Sequence, residues 1–220
     1  MKALLFGSIG TIVESSDLQR RAYNQAFEDA KLDGYWTEDD YRRLLSITGG
    51  KARLRAYYAQ GSNAGIAPAM IDALHVAKTA IYNELLVSER VELRPGVARL
   101  IDAAKQDELL VGLVTTTEHA NLAAIDAAAG DAFRLSDFDI VTDRTTTDKE
   151  KPHPAAYEHA LAQLNINALD AVAIEDTQAC VQAAVDAGLA CLAVPHRYSI
   201  DQGFDAATAC VSHLGEHGDP

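Results

Sequence analysis

Ala3-Leu4-Leu5-Phe6-Gly7-Ser8-Ile9-Gly10-Thr11-Ile12-Val13 is the stretch on which the fold turns. A short apolar run, Ala3 to Phe6, stops abruptly in a turn of small residues. That is how a buried first strand opening into a loop reads. In open α/β sheets the crevice at the carboxyl ends of the strands receives ligands. Gly7 to Thr11 are therefore expected at the centre of any site the protein has.

Outward from this strand the pattern changes period. Over residues 17–87 the segments are helical and no strand is evident. Leu18, Ala22, Ala26 and Phe27 recur at helical spacing behind Asp17, a candidate N-cap. Further helices are expected over residues 38–47 and 53–60, with a break at Thr48-Gly49-Gly50-Lys51. Pro68 opens a long one whose apolar side is read as Ile71, Leu74, Ala77, Ile81 and Leu85. After Arg94-Pro95-Gly96 helices and strands alternate: helix 97–104, strand 109–114, helix 120–129, strand 139–141, helix 154–164, strand 171–174, helix 179–187, strand 190–194. The run over residues 109–114 is continuously apolar, as a parallel strand buried on both faces requires. Alternation of this kind specifies an α/β fold with a parallel, helix-flanked sheet. The expected division is a core of residues 1–14 and 90–220 with an inserted helical cap, 15–89. A disordered tail is expected over residues 215–220.

With 220 residues, 48% of them hydrophobic, the chain can bury a sizeable core. A net charge of −13 argues against nucleic acid and anionic membrane as partners. No run approaches the roughly 18 apolar residues of a membrane span, and the residues after Lys2 do not make a signal peptide. Cys180, Cys191 and Cys210 form neither a disulfide framework nor a metal spacing. They are expected as small buried hydrophobes in a reduced, cytoplasmic setting.

Three later segments carry chemistry. Thr115-Thr116-Thr117 follows a strand and precedes a helix; hydroxyls and backbone N–H groups there bind anions, although taken alone the stretch reads better as a Thr-rich helix cap. Lys151-Pro152-His153-Pro154 offers a cation suited to phosphate, or a solvated Lys in a Pro-rich loop. Glu175-Asp176 ends a strand, where paired carboxylates suit Mg²⁺ or, equally, an acidic helix N-terminus. His153 and His159 read as surface residues. In the helical insert Lys51, Arg53 and Lys78 form a cationic set, and Gly49-Gly50 permits close backbone approach to a ligand.

These segments, in this order, resemble the four motifs of the haloacid-dehalogenase-like phosphatases over essentially the whole chain. The resemblance implies a Rossmann-like parallel core, with Thr115 and Thr116 on a phosphate, Lys151 steadying its charge, and Asp176 with Glu175 toward Mg²⁺. Arg21-Ala22-Tyr23-Asn24, Gly49-Gly50-Lys51-Ala52-Arg53 and Leu74-His75-Val76-Ala77-Lys78-Thr79 resemble the cap of the subgroup with β-phosphoglucomutase and xylulose bisphosphate phosphatase. By that likeness Lys51, Arg53 and Lys78 would hold a sugar or its distal phosphate.

The first motif departs from the family pattern. Where the family has Asp-x-Asp-Gly-Thr, this chain has Gly7-Ser8-Ile9-Gly10-Thr11. Gly7 stands at the nucleophile and Ile9 at the general acid/base, and Gln19 replaces a His common at the start of the cap. Phosphate monoester hydrolysis is among the slowest uncatalysed reactions, with enzymatic accelerations up to about 10²¹-fold. Loss of a nucleophile alone costs on the order of 10⁶ in turnover in a well-characterised protease. The first motif therefore predicts a phosphosugar-binding or regulatory pseudoenzyme in which Mg²⁺ binding is weakened. Two alternatives stand beside it: a hydrolase using a displaced carboxylate, with Glu14 and Asp17 as candidates, and a protein-interaction module with a vestigial crevice. Ser8, adjacent to Gly7, is expected on the opposite face.

Overall fold

The computed structural model describes residues 1–59 and 66–215. Six parallel strands form one sheet: β1 (Ala3–Phe6), β2 (Leu110–Leu113), β3 (Ile140–Val141), β4 (Ala171–Glu175), β5 (Ala190–Ala193) and β6 (Ala209–Cys210). Their spatial order is β3-β2-β1-β4-β5-β6. β1 lies at the centre, with Phe6 level with Leu113 on one side and Ile174 on the other. All four of its side chains are buried, which is why its sequence is apolar without alternation.

Between β1 and the rest of the sheet come α1 (Ser16–Asp29), α2 (Glu38–Leu44), α3 (Gly50–Ala59) and α4 (Pro68–Glu89). The sheet is flanked by α5 (Val97–Gln106), α6 (His119–Ala129), α7 (Ala155–Leu164) and α8 (Gln178–Asp186). One apolar cluster joins Phe6, Val111 and Leu113 to Leu18 and Ala22 of α1 and Tyr82 and Leu86 of α4. A second packs Leu5, Ala173 and Cys191 against Tyr157 and Val181. A third gathers Tyr23, Phe27, Trp36, Tyr41 and Tyr58, with the rings of Tyr23 and Trp36 4.2 Å apart. Tyr198, from the loop after β5, enters this third cluster and donates to Asp17 at 2.9 Å.

Several expectations are corrected. Ser15, not Asp17, precedes α1; Asp17 sits in its first turn and pairs with Arg20 at 2.9 Å. α2 stops at Leu44 and α3 starts at Gly50, so the break falls earlier than expected, over residues 45–49, and Gly50 already opens the next helix. The buried side of α4 is Ile71, Leu74, Lys78, Tyr82 and Leu86. Beyond Leu74 it is turned one residue from the expected stripe: Ala77 is exposed, while Lys78 is buried in its place. β6 is too short to show in sequence. Of the cysteines only Cys191 is buried; Cys180 is half-buried, Cys210 is exposed, and all three are free. Gln60, and the expected tail apart from Gly215, lie outside the described residues.

Candidate active site

The carboxyl ends of β1, β2 and β4 meet below α3 and α4, and the space between is a cleft of about 480 Å³. That volume suits a small metabolite. The sheet supplies Thr115, Lys151 and Asp176 to its walls; the helices supply Lys51, Arg53 and Lys78. Thr116, Glu175 and Ile9 also line it. The structure thus brings the expected site residues into one cavity. Gly7, without a side chain, is not among the lining residues; it lies next to Ser8 at the end of β1, where its N–H donates to the Ile174 carbonyl at 2.9 Å.

The hydroxyls are ordered by backbone geometry. Thr142 Oγ1 accepts from the Thr115 N–H and donates to the Thr115 carbonyl, both at 2.8 Å, so the turn after β2 is pinned to the end of β3. Ser8 Oγ donates to Thr115 Oγ1 at 2.9 Å. Ser8 therefore faces the cleft, contrary to expectation, because β1 has ended at Phe6 and strand alternation no longer applies to residue 8. Arg94 holds the floor: its guanidinium donates to the carbonyls of Gly10, Val194 and Pro195, tying the loop after β1 to the loop after β5.

Lys151 is buried rather than solvated. Its ammonium pairs with Glu175, donates to the Val114 carbonyl at 2.7 Å and sits 4.6 Å above the Tyr157 ring. Burial opposes the ammonium, but the Glu175 charge outweighs it and raises the Lys151 pKa. Tyr157 donates to the same Glu175 oxygen at 2.5 Å. The other Glu175 oxygen reaches toward Gly7. A Cβ added at residue 7 would overlap the Glu175 carboxylate and lie 2.7 Å from Thr11 Oγ1, closer than real Cβ atoms come. Glu175 thus fills the space that a side chain at residue 7 would need.

Asp176 is equally engaged. Thr11 donates to its Oδ1 and His196 Nε2 meets its Oδ2, both at 3.1 Å. The other ring nitrogen of His196 is ion-paired with Glu14. Burial disfavours the imidazolium; the hydrogen bonds and charges of Asp176 and Glu14 outweigh it and push the pKa up to about 9. No motif pointed to His196 or Tyr157.

Glu14 and Asp17 are held away from the cleft lining, the first by His196 and the second by Arg20 and Tyr198. His153 and His159 are exposed, as expected. Among the described residues, the side chains grouped closely enough to hold a metal are Glu175, Asp176 and Cys180. Mg²⁺ demands hard oxygen donors in an octahedron. One member here is a thiol kept protonated by burial, and both carboxylates already accept from protein donors. This donor set does not fit Mg²⁺.

The cap side is cationic and partly unpaired. Lys51 pairs with Asp72 at 2.8 Å near the surface. Arg53 Nε donates to the Ile47 carbonyl at 2.8 Å. Lys78 is 4% exposed, hydrogen-bonded to Gln19 and flanked by the rings of Tyr23 and Tyr82 at 4.8 and 4.9 Å. It has no carboxylate partner among the described residues. Burial, reinforced by the charge of Arg53, lowers its pKa to about 7. Burial, then the charges of Lys78 and Lys51, takes His75 down to about 4. The close approach expected at Gly49-Gly50 is made by protein groups: Gly49 to Glu150, and Gly50 to the Tyr23 hydroxyl and His75.

A central parallel sheet, a loop-bounded crevice at its carboxyl edge and a helical insert after the first strand define a hydrolase-type α/β architecture. The chain belongs to the haloacid dehalogenase-like hydrolase family, which it matches over residues 1–188. It is 38% identical to protein CbbY of Rhodobacter capsulatus over 207 residues, covering 94% of this chain and 91% of that one. Two solved structures of CbbY from Rhodobacter sphaeroides superpose closely. One, in complex with phosphate, has a TM-score of 0.90 at 33% identity, covering 99% and 96% of the two chains. The other, a mutant in complex with xylulose-(1,5)bisphosphate, has a TM-score of 0.89 at 34% identity over the same shares. Among the described residues no helix is long and apolar enough to cross a membrane.

Proposed function

We propose that this protein binds a small phosphorylated sugar in the cleft and does not transfer the phosphoryl group. The observation that carries the reading is at residue 7. Gly7 has no atom with which to attack phosphorus, and the space beside it is closed by Glu175, locked in turn by Lys151 and Tyr157. Ile9 cannot exchange protons. Binding, by contrast, is supported at both ends of the cleft. Thr115, Thr116 and Lys151 line the sheet end, and Arg53, Lys78 and Lys51 the helical end. A buried ammonium facing an uncharged amide is costly unless an anion completes it. Lys78 is in that position, and a sugar phosphate would supply the missing charge. Xylulose-(1,5)bisphosphate, bound by the CbbY relative, is the first ligand to try. Three free cysteines accord with a cytoplasmic setting where such metabolites occur.

The test is calorimetric titration with xylulose-(1,5)bisphosphate and with glucose phosphates, alongside a phosphate-release assay. The reading expects saturable binding, weakened in Lys78→Met, with no turnover above a Lys151→Ala control. Absence of binding to every sugar phosphate would refute it.

One observation favours a hydrolase with a displaced carboxylate: Glu175, rather than Glu14 or Asp17, reaches the space beside residue 7. Turnover abolished by Glu175→Gln would establish that alternative.

A further inference from the structure

We propose that the sheet end of the cleft works without a divalent metal, its place taken by protein side chains. By family resemblance an ion would sit among residue 7, the Ile9 carbonyl and Asp176. In this chain the approaches at residue 7 and at Asp176 are closed by named groups. The carboxylate at residue 7 is absent, and the space it would enter holds Glu175 Oε2 and Thr11 Oγ1. Oε1 of Glu175 accepts from Lys151 and Tyr157. Asp176 has one oxygen on Thr11 and the other on His196.

The closure is a connected system rather than a set of separate contacts. His196 is seated by its own loop: its N–H donates to Ser199 Oγ at 3.0 Å, and Ser199 Oγ donates to the Asp176 carbonyl at 2.6 Å. Glu14 braces the far ring nitrogen, and the Ser16 N–H braces Glu14 at 2.6 Å. Gly10, in the left-handed region at φ 90°, presses its backbone against Asp176 so closely that an added Cβ would overlap that carboxylate. An ion entering here would have to displace His196 from Asp176 and Lys151 from Glu175. Three of the carboxylate oxygens that Mg²⁺ would recruit already accept from protein donors, and the third side chain of the group is the Cys180 thiol, a soft donor that Mg²⁺ does not favour.

The consequence is a sheet end whose charges are met within the protein. Lys151 lines the cleft beside Thr115 and Ser8 with its ammonium already paired to Glu175, so an anion entering there meets that held ammonium and two hydroxyls with no ion to be recruited first. This deepens the phosphosugar-binding reading but is tested independently of it.

The test uses the full chain and Mn²⁺ as a paramagnetic stand-in for Mg²⁺, followed by electron paramagnetic resonance with no phosphosugar present. Wild type is expected to show no saturable site at millimolar Mn²⁺. A Gly7→Asp, Glu175→Ala, His196→Asn variant, checked for folding by circular dichroism, is expected to gain a single site with affinity roughly tenfold or more above wild type. A saturable site in wild type that weakens roughly tenfold in Asp176→Asn would overturn the proposal. So would a folded triple variant that still binds no Mn²⁺, because the named side chains would then not be what excludes the metal. Failure of sugar phosphates to bind, with the Mn²⁺ results as expected, would sink the binding reading and leave this one standing.

Discussion

Raising the pH should withdraw stability from this protein through one imidazole. His196 is 6% exposed and lies between Asp176 and Glu14. Burial works against its conjugate acid, but the two carboxylates hold it up to about 9, from an ordinary 6.5. The folded state therefore grips the proton more tightly than the unfolded state. The resulting stabilisation is complete below pH 6.5, declines between 6.5 and about 9, and is gone above that. At about 1.4 kcal/mol per tenfold change in proton affinity, the gap amounts to about 3 kcal/mol. That is a large share of the stability of an ordinary domain. Urea denaturation of wild type and His196→Gln at about pH 6 and about pH 10 isolates the term, since every other titrating group is common to both. The advantage of wild type over the variant should shrink by about 3 kcal/mol across that range. A difference that stays constant with pH would mean that His196 is neutral in the folded protein and that the paired carboxylates do not hold a proton there.

Lys78 should behave in the opposite sense. Its folded pKa is depressed to about 7, so its burial penalty is full below that pH and fades toward 10.5; Lys78→Met should raise stability by about 2–4 kcal/mol at about pH 6 and by little at about pH 10, while weakening sugar phosphate binding. Lys151→Met leaves Glu175 buried and unpaired and should cost about 3–5 kcal/mol in denaturant melts, much of it recovered by adding Glu175→Leu. Gly7→Asp, which with Ile9→Asp would rebuild the family's first motif, must push against Glu175 and Thr11. It should cost about 1–3 kcal/mol alone and less in a Glu175→Ala background, so that phosphatase turnover is regained only when Glu175 is moved as well.

The architecture was legible in the chain because it follows from short-range pattern. A continuous apolar run such as Leu109 to Val114 can only be a strand covered on both faces, and its alternation with helices leaves a parallel sheet as the outcome. The candidate residues were legible for the same reason. Gly7, Thr115 and Asp176 each follow a strand end and had to meet at one edge; Lys151, in the loop after β3, joins them through its contact with the Val114 carbonyl. Lys78 was recognisable as part of a cationic set, but its burial was not. Ala77 and Lys78 compete for the inner face of α4, and the apolar choice is overruled by the packing of Tyr82 and Leu86 one turn further on.

What only the folded molecule decides is which group stands next to which. Glu175 and Asp176 read in sequence as a pair facing a metal. In three dimensions they stay side by side, within 4.8 Å of each other, but each takes its own protein partners, Glu175 on Lys151 and Tyr157 and Asp176 on His196 and Thr11. His196 is 20 residues from Asp176 along the chain and belongs to no motif. Its role comes from a loop folded back over the sheet's edge. The physical reason is that a buried carboxylate must be neutralised by something. Sequence shows that the ion's partner at residue 7 is missing, but only tertiary contact shows what has taken up the charge.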